Sequence, residues 1–159
     1  GGLYVGPPSD TFFADARVYP ADARYSWAPT DVYALAKIGD ALWFGCRNGA
    51  GRYEGGSWSL YTGREGLPYN AFTCAAPGEA DGVVWFGTER GAIRYDGRNW
   101  AYRASLRWLP DDRVNGIAVA PDGTAWIATP KGVARIERPT MTLEEKAQHY
   151  IDVADERHT

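Results

Sequence analysis

The chain has 159 residues, of which 45% are hydrophobic and 14% aromatic, and a formal net charge of −3. Such a chain can fill a core and is not a disordered tail. It has no Lys/Arg cluster dense enough to track phosphates, which argues against nucleic acid as a partner, and no apolar run long enough to span a bilayer.

The N-terminal stretch is weakly patterned. Leu3-Tyr4-Val5-Gly6 is a faint copy of a phrase that returns more strongly downstream, and the residues from Pro7 to Arg24 match the repeat poorly. Residues 1–31 therefore read as an irregular or partial repeat. The only Met is Met141, and the chain opens inside a phrase, so it is expected to be a fragment, a processed product or an engineered chain.

From Val32 onward the pattern is regular. Val32-Tyr33-Ala34-Leu35-Ala36-Lys37 alternates with period two and reads as a strand. The phrase Leu42-Trp43-Phe44-Gly45-Cys46 is a second strand, Arg52-Tyr53 a third, and Trp58 lies in a fourth, with Glu54-Gly55-Gly56 as the hairpin turn before it. Gly66-Leu67-Pro68 leads out of the unit. The second unit aligns Tyr69-Asn70-Ala71-Phe72-Thr73-Cys74 with the first strand, then Val84-Trp85-Phe86-Gly87-Thr88, Arg94-Tyr95, the turn Asp96-Gly97-Arg98, and Trp100. The third begins after Trp108-Leu109-Pro110, with Val114-Asn115-Gly116-Ile117-Ala118-Val119, a tight reversal at Pro121-Asp122-Gly123, then Ala125-Trp126-Ile127-Ala128-Thr129 and Arg135-Ile136. Gly49, Gly91 and Gly132 recur where positive φ is expected.

Trp43, Trp85 and Trp126 thus recur about every 40 residues, the period of a β-propeller blade. The expected fold is all-β: about three and a half four-stranded antiparallel blades over 1–138, part of a larger or oligomeric ring. One face of the first strand carries Leu35, Phe72 and Ile117, while the other is uniformly small. That small face places this strand innermost, where blades crowd the axis. Since blades close only in rings of roughly 4–8, further blades are expected from another chain, a second copy, or sequence beyond this one.

The order Leu109-Pro110, Val114-Asn115-x-Ile117-Ala118, Asp122-Gly123-x-x-Trp126-Ile127-x-Thr129, Gly132-Val133-x-Arg135 resembles the two-component regulator propeller repeat, and the resemblance covers roughly Val32 to Arg138. It implies a multi-bladed propeller in an extracytoplasmic (periplasmic or secreted) sensor region of a bacterial signalling protein. Ala128, in place of the Trp-phrase glycine, and Ala134, in place of a bulkier residue, depart from the pattern.

After Pro139 the composition changes. Thr142-Leu143-Glu144-Glu145 is a capping box, and Leu143, Ala147, Tyr150, Ile151 and Ala154 fall at helical spacing. A linker and an amphipathic helix from about Leu143 to about Glu156 are expected over 139–159, as the possible start of a helical domain.

The loops between second and third strands and the crossovers should open on one face, around the axial channel. The candidate binding residues there are Arg47, Asn48, Tyr69, Asn70, Glu89, Arg90, Asp112, Arg113, Asn115 and Lys131. Arg47, Arg90 and Lys131 would form a ring of cations able to hold a carboxylate or sulfate; the competing reading is solvated turn residues. Arg52, Arg94 and Arg135 recur strictly and read as structural, stacked on the neighbouring tryptophans. Asp111 or Asp112 could act as a base, but no carboxylate pair, nucleophile elbow, phosphate loop or metal-ligand spacing is present, and no cofactor is expected. Cys46 and Cys74, the latter aligned with Val119, read as small buried apolar residues, with a bridge between blades as the alternative. The function these features favour is a ligand-binding or sensor module for a glycan or other anionic extracellular ligand. The alternative is the propeller portion of a polysaccharide lyase or glycoside hydrolase whose catalytic groups lie partly outside the chain.

Overall fold

The computed structural model describes residues 3–5, 17–19, 27–138, 142–144, 147–148 and 151. A short antiparallel pair, β1 (Leu3–Val5) and β2 (Arg17–Tyr19), precedes three antiparallel sheets. The first sheet runs β3 (Val32–Ile38), β4 (Ala41–Cys46), β5 (Gly49–Glu54) and β6 (Ser57–Tyr61). The second runs β7 (Phe72–Pro77), β8 (Val84–Thr88), β9 (Gly91–Tyr95) and β10 (Trp100–Arg103). The third has β11 (Gly116–Val119), β12 (Ala125–Thr129) and β13 (Gly132–Ile136), with no fourth strand among the described residues. In each sheet the strands pair in chain order.

The hairpins repeat in detail. Gly49 and Gly91 open the third strands at φ 150° and 138°. A Cβ at Gly49 would stand 2.2 Å from the Tyr61 carbonyl oxygen, and one at Gly91 2.6 Å from that of Arg103. The glycine is thus required both by its dihedral and by the outer strand beside it. The residue ending each second strand reaches across the turn to that glycine's carbonyl: Cys46 Sγ to Gly49 at 3.4 Å, Thr88 Oγ1 to Gly91 at 2.7 Å, Thr129 Oγ1 to Gly132 at 2.8 Å.

The pairing register corrects the sequence alignment of the first strands. Opposite the glycine or alanine of the Trp phrase stand Ala34 (on Gly45), Cys74 (on Gly87) and Gly116 (on Ala128). A bulge precedes this position in β3 and β7, at Tyr33 and Thr73. Phe72 therefore corresponds to Val32, not to Leu35 and Ile117, and Cys74 does not take the place of Val119. The face that includes Leu35 and Ile117 carries Ala75 in the second sheet. The second copy is thus three residues out of register in the sequence alignment, since Phe72-Thr73-Cys74-Ala75 corresponds to Val32-Tyr33-Ala34-Leu35, with the bulge at the same place in both.

The sheets pack face to face. Alternation along each Trp phrase sends the indole towards the following sheet and the next residue towards the preceding one. Trp43, Ala34 and Ala36 meet Phe86, Ile93 and Phe72 in one buried layer; Trp85 and Ala92 meet Val114, Ile127 and Ala134 in the next. Leu67 and Leu109, from the crossovers, are buried in these layers. The strands β3, β7 and β11 pack against one another, while β6 and β10 lie outside, so the small-faced strands are innermost as expected. Burial of each such large apolar side chain contributes roughly 1.5–3 kcal/mol, and the buried layers draw on residues of both facing sheets. On the preceding side of the first sheet, Trp27 lies against Phe44 and Trp58, at centroid distances of 6.1 and 6.3 Å. On the following side of the third sheet, Trp126 is 46% and Val133 63% exposed.

The expected helix after Pro139 is not supported as an element. Among the described residues, 143–144, 147–148 and 151 have helical backbone, and the rest of that stretch lies outside the described residues. Leu143 and Ile151 are exposed.

Candidate functional site

The up-and-down order of the strands brings the start of each innermost strand and the β4–β5, β8–β9 and β12–β13 turns to one end of the blades. All the sequence-predicted site residues lie there. Arg47 and Asn48 form the exposed β4–β5 turn, and Glu89 and Arg90 the exposed β8–β9 turn. Tyr69 is half-buried against the first inter-blade layer, and Asn70 beside it donates from Nδ2 to the Arg47 carbonyl at 3.4 Å. Asn115 donates its backbone N–H to Ala128 at 2.8 Å.

The expected cation ring is largely neutralised. Arg47 Nε lies 2.9 Å from Asp31, Lys131 Nζ 3.1 Å from Asp111, and Arg113 pairs with Glu89. Among the described residues the side chain of Arg90 forms no ion pair; the Arg90 carbonyl accepts from the Tyr102 hydroxyl. These pairs are solvent-exposed and worth little individually, so an incoming carboxylate can exchange into them. The crossover carboxylates are engaged as well. Asp111 accepts from the Arg113 N–H and from Lys131, in that order of importance, and both hold its pKa below the usual aspartate value. Asp112 accepts from the Ser105 N–H at 2.5 Å.

A cleft of about 410 Å³ between the first two blades brings part of the predicted set together. Its walls are Tyr33, Arg47, Asn70, Ala71, Phe72 and Glu89. Arg47, Asn70 and Glu89 thus converge. Asn48, Tyr69, Arg90, Asp112, Asn115 and Lys131 do not line it, and Arg113 reaches it only through Glu89. Sequence reasoning missed Tyr33, which is 57% exposed. Its signal was present: it is a large aromatic at the bulge position that holds Thr73 and Asn115 in the other blades.

The recurrent arginines are mostly as expected. Arg52 lies 5.8 Å from the Trp43 ring and Arg135 5.5 Å from that of Trp126. Arg94 departs from this, being drawn into ion pairs with Glu79 and Asp96. Cys46 and Cys74 are both free thiols, and burial pushes both pKa values up.

Solved structures share the fold. Over 80% of its length the chain is similar to the extracellular domain of the hybrid two component system BT4673 from B. thetaiotaomicron, at 23% identity and a TM-score of 0.59. A second neighbour is the extracellular domain of the hybrid two component system BT3049 from the same organism, at 17% identity and a TM-score of 0.55 over 77% of this chain. The fold is that of β-propeller blades. The chain spans only 18% and 19% of those two structures, which fits a partial propeller. BBS1N in complex with ARL6DN is also similar, at 19% identity and a TM-score of 0.50, over 69% of this chain and 38% of that one. At these identities the likeness speaks for the fold, and one fold serves many functions. No family model and no curated protein matches the chain. Among the described residues no helix is long and apolar enough to cross a membrane.

Proposed function

We propose that these blades belong to an extracytoplasmic sensor propeller that recognises a glycan or other anionic ligand at the loop end. The observation that carries this reading is the cleft walled by Tyr33, Arg47, Asn70 and Glu89. It combines an exposed aromatic face, an amide, and a guanidinium held only by an exposed ion pair. The likeness to extracellular domains of two-component sensors supports the same reading. Neutral or acidic oligosaccharides present the hydroxyls and carboxylates such a surface can pair with.

The test is calorimetric titration of the chain with a panel of neutral and acidic oligosaccharides, repeated with Arg47→Ala and Arg90→Ala. Saturable binding of an acidic member, weakened about tenfold or more by Arg47→Ala as expected for a lost charge-assisted pair, supports the reading. Silence across the panel, or binding that neither variant alters, overturns it.

The partners of this module are further blades. Trp126 and Val133 occupy the face that Trp43 and Trp85 bury against a following blade, and each already-formed layer shows what such a blade must supply.

A further inference from the structure

The third sheet stops where the other two continue. In the first two sheets a fourth strand carries a tryptophan opposite an aromatic of the third strand: Trp58 pairs with Tyr53, and Trp100 with Tyr95. Ile136 is the counterpart of Tyr95, since Tyr95 pairs with Val84 as Ile136 pairs with Ala125. Opposite Ile136 there is no strand among the described residues. Thr142, Leu143 and Glu144, which follow Ile136 at the spacing of Ala101, Tyr102 and Arg103, are exposed, and 143–144 have helical backbone. Burial of the two third strands differs accordingly. All of β9, paired with β10, is buried, whereas Gly132, Val133 and Arg135 of β13 are exposed.

The seat for a fourth-strand tryptophan is nevertheless present. In the second blade Trp100 lies against Tyr95 at 4.4 Å and Tyr61 at 5.8 Å, and a methyl on the crossover residue Gly66 would stand 3.3 Å from its Cδ1. In the first blade Trp58 lies 6.3 Å from the crossover residue Trp27. At these places the third blade has Ile136 for Tyr95, Arg103 for Tyr61, and Trp108 for Gly66 and Trp27. All three line one cleft of about 160 Å³, which the buried Trp85, counterpart of Trp43, also lines. Trp108 is 37% exposed, and Arg103 lies over its ring at 4.6 Å. The cleft thus matches the tryptophan seat of the other blades. It adjoins a strand edge left unpaired among the described residues, and such an edge is a template for another strand.

We infer that β13 and this cleft together form a strand-docking site, which takes an extended segment of a separate polypeptide with a tryptophan opposite Ile136. The segment joins the sheet through its backbone, and the tryptophan supplies the selectivity. Its indole sits against Arg103 as Trp100 sits against Tyr61, so a cation–π contact takes the place of an aromatic pair. A second copy has no described strand of this kind to give, because Trp58 and Trp100 are paired within their own sheets. The occupant completes the third blade itself and is distinct from a further blade stacked on Trp126 and Val133. The site shares no residue with the loop-end cleft and does not depend on its ligand.

The experiment titrates the full chain with a synthetic peptide of the sequence Gly56–Thr62, which contains the fourth strand of the first blade. Calorimetry reads affinity, and hydrogen exchange followed by NMR reads the place. The expected result is saturable binding that slows exchange in β13 and not in β5 or β9. Trp58→Ala in the peptide should weaken binding about tenfold or more, as for a buried aromatic anchor. Trp108→Ala in the chain should weaken the parent peptide about fivefold, through the lost aromatic wall, and leave the alanine peptide unchanged. Silence, equal affinity of the two peptides, or protection outside β13 overturns the inference. So do β13 amides already protected in the free chain, since a second copy or the chain's own tail would then hold the edge. Should Trp108→Ala lose its dispersed spectrum, the contrast between the two peptides on the wild-type chain decides.

Discussion

Phe72 lies directly on Gly45: a methyl group placed on that glycine would stand 2.4 Å from the Phe72 Cγ. The same relationship recurs one blade on, where a methyl on Gly87 would meet Cys74 Sγ at 2.4 Å and Val114 Cγ1 at 2.6 Å. In each case the residue just before the bulge of one blade seats on the Trp-phrase glycine of the blade before it. Ala128 holds this position in the third blade and is exposed, with no such neighbour among the described residues.

Gly45→Ala is accordingly expected to destabilise the fold by about 1–3 kcal/mol through overpacking. Ala128→Gly should cost about 0.5–1 kcal/mol from backbone entropy alone. Denaturant melts measure both. Combining Gly45→Ala with Phe72→Val should recover part of the loss, since the two positions touch; strict additivity would count against the contact.

The tryptophans should be unequal in the same assay. Trp43→Ala and Trp85→Ala remove side chains that are only 2% exposed, at a cost of about 3–5 kcal/mol each. Trp126→Ala, at a half-open position, should cost less than about 1 kcal/mol and should reduce self-association of the chain. Light scattering of Trp126→Ala beside wild type reads the second effect.

The turn caps are interchangeable in kind. Thr88→Val keeps the shape but deletes the hydrogen bond to Gly91, at an expected cost of about 1 kcal/mol. Cys46→Thr should be neutral or slightly stabilising, because Thr88 and Thr129 already serve that position. A loss of stability in Cys46→Thr would show that the first turn requires sulfur.

Acid should loosen the second and third blades through Glu79. Burial raises the Glu79 pKa, but its own backbone N–H and the Arg94 guanidinium outweigh that and lower it below the ordinary 4.5. A carboxylate whose folded pKa is depressed contributes stability that is present above its unfolded pKa and lost as pH falls through the folded value. Stability should therefore decline on acidification below about pH 4.5, and Glu79→Gln should flatten that decline while lowering stability at neutral pH. An unchanged acid limb in Glu79→Gln would remove Glu79 from the account.

Much of this architecture is legible in the residues. The recurrence of Trp43, Trp85 and Trp126, the glycines at 49, 91 and 132, and the Asp-Gly type turns are local signals, and each maps onto its strand or hairpin. The register of Phe72 is set by the crossover, since Phe72 lies five residues after Leu67 as Val114 does after Leu109; matching Asn70 to Asn115 instead places the second copy three residues off. For the tail, residues 143–144, 147–148 and 151 have helical backbone and the rest lies outside the described residues, so the expected helix is not supported as an element. For the site, the turn positions are readable from topology, and the structure places Arg47, Asn70 and Glu89 along one cleft at that end. Their ion pairs were not readable, since Asp31, Arg113 and Asp111 reach their partners only once the crossovers are folded.

The contact between a bulge-flanking side chain and the preceding glycine links adjacent units by a rule that does not depend on which units they are. A gene segment encoding one such unit can therefore be duplicated or lost with its joining surfaces intact on both sides. Repeat number can drift in evolution, or be set by an engineer, without redesigning the seams.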